Sequence, residues 1–163
     1  MNRGLFELYL SHFNKDWKNQ LKICEHSDND LNSYHYEGDV YTHTMMVVKE
    51  ALVICKDDGV TETEFKIVLL ACLLHDLGKP FAKHERDGRT FMSGHEIISA
   101  SMGLSWLKQK QELFMLTDLD IERVIDLVLH HTVAHKAEYD YEDPLLDIVN
   151  CADERGRIMK GMF

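Results

Sequence analysis

Proline is scarce in this chain, two residues in 163, and the four cysteines (Cys24, Cys55, Cys72, Cys151) stand far apart with no CxxC pair. With so little proline and 45% apolar residues, a disordered chain is excluded. Cys72 and Cys151 lie in apolar contexts and read as small buried hydrophobes, which fits a reducing, cytoplasmic setting. No run of Lys or Arg occurs, and the formal net charge is −10. That balance argues against duplex DNA and against anionic membranes as partners. It leaves room for a short nucleic-acid end or a nucleotide, the more so where metal ions supply local positive charge. No signal-peptide core opens the sequence, and the longest apolar run is too short to span a bilayer. No repeat, low-complexity tract or Gly/Ser linker divides it, so residues 1–163 are expected to form one domain with a real core.

What is present is helical periodicity, with no convincing series of alternating strands. The expected class is all-α, a bundle of about six helices near residues 3–15, 40–57, 62–78, 94–110, 118–133 and 143–158. Asp57-Asp58-Gly59 closes one helix, and Thr61 with Glu64 forms a capping box that opens the next. Gly78 and Pro80 are expected to stop that helix. The stretch near 83–93, with Asp87-Gly88 at its centre, reads as an irregular loop or short hairpin. The polar stretch from Glu25 to Gly38 reads as irregular.

Chemistry concentrates at Leu73-Leu74-His75-Asp76-Leu77-Gly78-Lys79-Pro80. The run Ile67 to Leu74 carries no polar side chain except the Cys72 thiol, so a core helix delivers an imidazole and a carboxylate into a buried place. A charge there needs compensation, and a bound metal ion is the usual one. Further ligands would come from the inward faces of other helices. On a wheel of about 100° per residue, His43 falls with Val47 and Ile54, opposite Lys49 and Lys56. His131 lies at the edge of the stripe Ile121, Val124, Val128, whereas His130 falls on the polar side with Arg123 and Asp126 and is only an extra ligand candidate. Asp153 borders the face of Ile148, Val149, Ala152 and Gly156, on the side of Leu146; alone it would serve equally as an ion-pair partner for Arg155 or Arg157. His95 opens a helix after Gly94, where a phosphate is also favoured. Lys79 would suit a helix C-terminus as well as a site. His12, His26, His84 and His135 have no supporting pattern and read as surface residues.

The order His43, His75-Asp76, His95, His131, Asp153 resembles the HD superfamily of metal-dependent phosphohydrolases, over roughly residues 34 to 157. Glu37-Gly38-Asp39-Val40-Tyr41-Thr42-His43-Thr44 resembles the segment leading to the first His in HD domains of bacterial polynucleotide-kinase end-healing enzymes. Continued to Val48, it is similar to the HD domain of CCA-adding tRNA nucleotidyltransferases. Ala152-Asp153-Glu154-Arg155-Gly156-Arg157 resembles the ending of the end-healing group. The resemblance implies a helical HD fold and one or two divalent ions (Mn, Ni, Co, Fe or Mg). His43, His75, Asp76 and Asp153 would hold the first; Asp76, His95 and His131 would hold the second, with Asp76 bridging. It also implies a phosphate-ester substrate, an RNA end or a nucleotide bearing a 2′,3′-cyclic, 2′- or 3′-phosphate. No GxxxxGK[ST] motif is present, so any end-healing activity would be the phosphatase half alone, with a kinase or ligase as a separate partner, or the sequence is one piece of a longer system.

In the mechanism so implied, Asp76 and Lys79 are the catalytic residues, with Lys79 neutralising charge on the transferred phosphoryl group. Arg157, and less directly Arg86 or Arg89, are candidates for contacting substrate phosphate; Glu37 is a candidate for orienting the entrance, with structural capping as the alternative. Two other functions compete. One is a nucleotidase or dinucleoside polyphosphate hydrolase, since His131-Thr132 resembles the dinucleoside tetraphosphate hydrolase branch. The other is a non-catalytic HD scaffold that binds a nucleotide or a protein.

Overall fold

The computed structural model describes residues 3–26, 38–87, 89–132 and 142–158. Their elements are α1 (Arg3–Lys22), α2 (Val40–Asp57), α3 (Glu62–Leu74), α4 (Lys79–Ala82), β1 (His84–Arg86), β2 (Arg89–Phe91), α5 (His95–Lys110), α6 (Asp118–His130) and α7 (Pro144–Arg155). The fold is all-α, six long helices with one short one and a two-stranded hairpin. None of the described helices is long and apolar enough to cross a membrane.

The organising element is α3. Every residue from Ile67 to Leu74 is buried, and a helix that is apolar all round must be surrounded. It is: α1, α2, α5, α6 and α7 all pack on it. The expected capping box opens it, with Thr61 Oγ1 accepting from Glu64 N and the Glu64 carboxylate from Thr61 N. α6 opens in the same way on Thr117 and Asp120, and α2 is capped by Asp39.

Five expectations about boundaries need correction, the first at α7, which ends at Arg155 and not at 158. α1 runs on to Lys22, because Leu21 continues the buried stripe of Tyr9 and Phe13, and Asp16 is held by Trp106 Nε1 (2.8 Å) and Lys110 Nζ (3.1 Å) of α5. α3 ends at Leu74, so His75 to Gly78 form a turn. Pro80 does not stop α3 but sits in the first turn of α4, where its missing N–H costs nothing. α6 ends at His130, with His131 as its C-cap. The 83–93 stretch is the short hairpin, His84 facing Phe91 and Arg86 facing Arg89. Of the cysteines, Cys24, Cys55 and Cys72 are buried, whereas Cys151 is only half-buried.

Gly78 sets how closely the turn approaches α5. A Cβ there would lie 2.4 Å from the His95 carbonyl oxygen and 2.7 Å from Ser99 N, both backbone atoms that cannot swing away. The Gly78 amide also donates to Ser99 Oγ at 2.8 Å. Gly78→Ala is therefore expected to cost about 1–3 kcal/mol or more from overpacking, read as a lowered midpoint in urea unfolding. The Asp120 carboxylate accepts from Thr117 N (2.8 Å) and Lys66 Nζ (3.0 Å). Partial burial opposes ionisation, but these partners win and hold the carboxyl below its ordinary range. Its contribution is thus present above the unfolded carboxylate pKa of about 3.9 and lost as pH falls through the lower folded value. Asp120→Asn should cost about 1 kcal/mol at pH 7, and the gap in urea midpoints between it and the parent should narrow in acid; an unchanged gap would contradict the assignment.

Candidate metal centre

Five elements converge on one cluster of side chains. His43 comes from the inner face of α2 and is fully buried; His75 and Asp76, each 1% exposed, come from the turn after α3. His95 is the first residue of α5, His131 the C-cap of α6, and Asp153 lies in the last turn of α7. Although adjacent in sequence at the turn after α3, His75 and Asp76 reach the same point, with His75 Nε2 3.2 Å from Asp76 Oδ2.

Asp76 is the centre. Its Oδ2 lies 3.2 Å from His75 Nε2 and 3.6 Å from His43 Nε2. Its Oδ1 lies 3.2 Å from His95 Nε2 and 3.8 Å from His131 Nε2. Each oxygen therefore faces one pair of imidazoles. Asp153 Oδ1 closes the first group, 2.8 Å from His43 Nε2 and 3.7 Å from His75 Nε2. Among the described residues, the ligand-type atoms of His43, His75 and Asp153 lie within 4.8 Å of one another, and so do those of Asp76, His95 and His131.

Backbone carbonyls set the tautomers. His75, His95 and His131 each donate Nδ1–H to the carbonyl three residues back: Cys72 O at 2.8 Å, Met92 O at 2.9 Å and Val128 O at 2.6 Å. A carbonyl only accepts, so Nδ1 carries the proton and the neutral ring turns its Nε2 lone pair inward. The consequence is plain at His95 and His131, whose Nε2 atoms are 3.2 Å apart. Two lone pairs at that distance repel unless a cation lies between them, and the donor set of imidazole nitrogens and carboxylate oxygens fits a divalent metal ion.

The electrostatics agree. Burial would raise the Asp76 carboxyl, but His75 and the Lys79 ammonium outweigh it and hold the group ionised, well below the usual range. Burial, and next to it His75, pushes the His131 imidazole down to about 3, so that it is neutral at physiological pH. Burial would also lower His95, yet the negative Asp76 carboxylate beside it leaves that ring raised. Lys79 Nζ sits 2.7 Å from Asp76 Oδ2. Arg157 joins the rim by pairing with Asp153 Oδ2.

Other candidates fall elsewhere. His130 is not brought into the cluster: it sits on the outer side of α6, its Nδ1 3.0 Å from the Asp126 carboxylate that also pairs with Arg123. Arg86 is at the hairpin, its side chain 81% exposed and its charge against Asp87; among the described residues no ion pair ties it to the cluster. Glu37 and His135 lie outside the described residues. Two histidines read as surface are not. His12 is half-buried with its ring 5.7 Å from that of Phe114. His26 is 5% exposed and adjoins the cluster, its ring 5.6 Å from that of His43 and its Nε2 3.2 Å from Lys79 Nζ. No periodicity marks His26, since it stands between helices.

Metal analysis of the purified protein is expected to find two divalent ions, one for each ligand group. His131→Gln should retain one and Asp76→Asn should weaken both. Saturation at 100 times Kd should stabilise the parent by about 2.7 kcal/mol for each ion bound in thermal unfolding, and an absence of metal-dependent stabilisation would refute the ligand set.

The HD domain family model matches residues 40–157, from the first residue of α2 to just beyond α7. No curated protein and no solved structure gives a match. The matched span holds all six residues of the cluster, from His43 to Asp153, and the chain belongs to the HD domain family, whose members are in general metal-dependent phosphohydrolases.

Proposed function

We propose that this protein is a metal-dependent phosphoesterase that removes 2′,3′-cyclic, 2′- or 3′-phosphates from RNA ends or nucleotides. The observation that carries the reading is the Asp76 carboxylate, with one oxygen facing each group of imidazoles and an ammonium at its edge. When bound, divalent ions would supply hydroxide near neutral pH and polarise the phosphate. The chain's residues supply the rest. His43, His75, Asp76 and Asp153 would hold one ion, and Asp76, His95 and His131 the other. The carbonyl-anchored rings cannot rotate away, so the site costs little reorganisation when substrate arrives. Lys79, almost fully buried beside Asp76, offers an ammonium where negative charge grows on the phosphoryl group. Arg157 orients Asp153 and lies at the rim, where a substrate phosphate would pass.

An RNA end is favoured by the resemblance of the sequence from Glu37 to Val48, and of the Ala152 to Arg157 ending, to enzymes that act on RNA ends. A separate kinase or ligase would complete such a repair reaction. The resemblance at His131-Thr132 favours a second reading, hydrolysis of nucleotides or dinucleoside polyphosphates. A panel of 2′,3′-cyclic AMP, 3′-AMP, 5′-deoxynucleotides, dinucleoside polyphosphates and RNA oligomers with a 3′-terminal phosphate separates the two. Asp76→Ala should abolish metal-dependent phosphate release while leaving the helical circular dichroism nearly intact. Lys79→Met should lower kcat by roughly 10²–10³, as for loss of one transition-state donor. Turnover of no phosphate ester by the metal-loaded protein would overturn the proposal.

A further inference from the structure

The segment Cys24 to His26 forms no helix, yet it is tied on two sides. It pairs with the start of α2 through His26 N to Gly38 O (3.0 Å) and Val40 N to Cys24 O (3.0 Å), around the bridge between Glu25 and Asp39. It is also gripped by α4. Lys79 Nζ reaches His26 Nε2 at 3.2 Å, and Lys83 Nζ, one turn on, donates to Glu25 O at 2.9 Å. Two lysines four residues apart, the first residue of α4 and its C-cap, thus clamp the same strand-like segment.

The His26 tautomer follows from its contacts. Nδ1 faces Gly38 O at 3.2 Å, and a carbonyl can only accept, so Nδ1 carries the proton and Nε2 the lone pair. Nε2 therefore accepts from the Lys79 ammonium. Lysine has a flexible four-carbon stem, and a nearly buried ammonium needs acceptors to offset its lost hydration. Among the described residues Lys79 has two: the Asp76 carboxylate and the His26 imidazole. The first is charged and shared with four imidazoles; the second is neutral and anchored to backbone.

We infer that His26 is a positioning residue: its imidazole fixes the Lys79 ammonium at the edge of the Asp76 cluster, leaving the remaining N–H of Lys79 for the phosphoryl anion of the substrate. The inference deepens the phosphoesterase reading and rests on it for the identity of the anion. Without the neutral anchor, the ammonium would follow the Asp76 carboxylate alone and lose its fixed place beside a phosphate.

A double-mutant cycle on the full, metal-loaded protein tests this, with inorganic phosphate as the binding probe and kcat and KM for the best ester of the panel as the second readout. His26→Leu is expected to weaken phosphate binding and lower kcat by roughly 10–100-fold, as for loss of a group that orients a site residue. It should do so with metal affinity unchanged. In the Lys79→Met background the same substitution should add nothing. His26→Gln, whose amide oxygen can accept from the ammonium, should recover most of the loss, and it covers the case in which the leucine variant folds poorly. Additive effects, a normal phosphate affinity in His26→Leu, or a matching loss of metal affinity would each overturn the inference. If the cycle holds for phosphate binding while no ester is turned over, the positioning role stands and the phosphoesterase reading falls.

Discussion

One carboxylate governs this structure. Asp76 is almost wholly removed from water at the end of a helix that is itself enclosed on all sides. An ionised carboxylate in such a place is tolerable only with compensation; the Lys79 ammonium at 2.7 Å supplies part of it, and the imidazole lone pairs turned toward the carboxylate fit a cation as the rest. Four imidazoles and an ammonium lie within 4 Å of its two oxygens. Remove the charge and the convergence of α2, α5 and α6 on one point has no purpose. Keep it, and those helices must present nitrogen donors there.

How the donors are fixed is equally economical. Three of the imidazoles are locked by the carbonyl of the residue three positions earlier, a partner that a helix end or turn leaves open. His75 follows α3, His95 begins α5 and His131 ends α6. The termini of the bundle, where backbone groups lack intrahelical partners, are therefore the places that orient the rings. Gly78 allows two of these termini to approach, because its missing side chain lets the turn lie against the first residues of α5.

Much of this was legible in the sequence, and the reasons for the exceptions are physical. Helical periodicity separates His131 from His130 and puts His43 inward, because burial in a helix repeats about every 3.6 residues. The all-apolar run before His75 announces an enclosed helix. By contrast, the turn at 75–78 and the role of Pro80 are decided by packing against α5, which no local pattern records. The reach of α1 to Lys22 depends on Trp106 and Lys110 far along the chain. His26 is invisible to any wheel, since its burial comes from an isolated bridge and from Lys79 and Lys83 at the two ends of α4. Arg86 shows the opposite failure, a charge close in sequence to the motif but carried outward by a strand.

His43 Nε2 and Asp153 Oδ1, 2.8 Å apart, stand 110 positions apart in sequence. Bringing those two side chains together requires that the helices between them already be stacked, so the ligand set is among the most non-local features of the fold. Contacts of that kind form late, after the entropic cost of closing long loops has been met. A metal ion therefore cannot act as a template for early folding here, as it does in small zinc modules whose ligands are close in sequence. It can only recognise a finished molecule, and its binding would report on the integrity of the whole bundle.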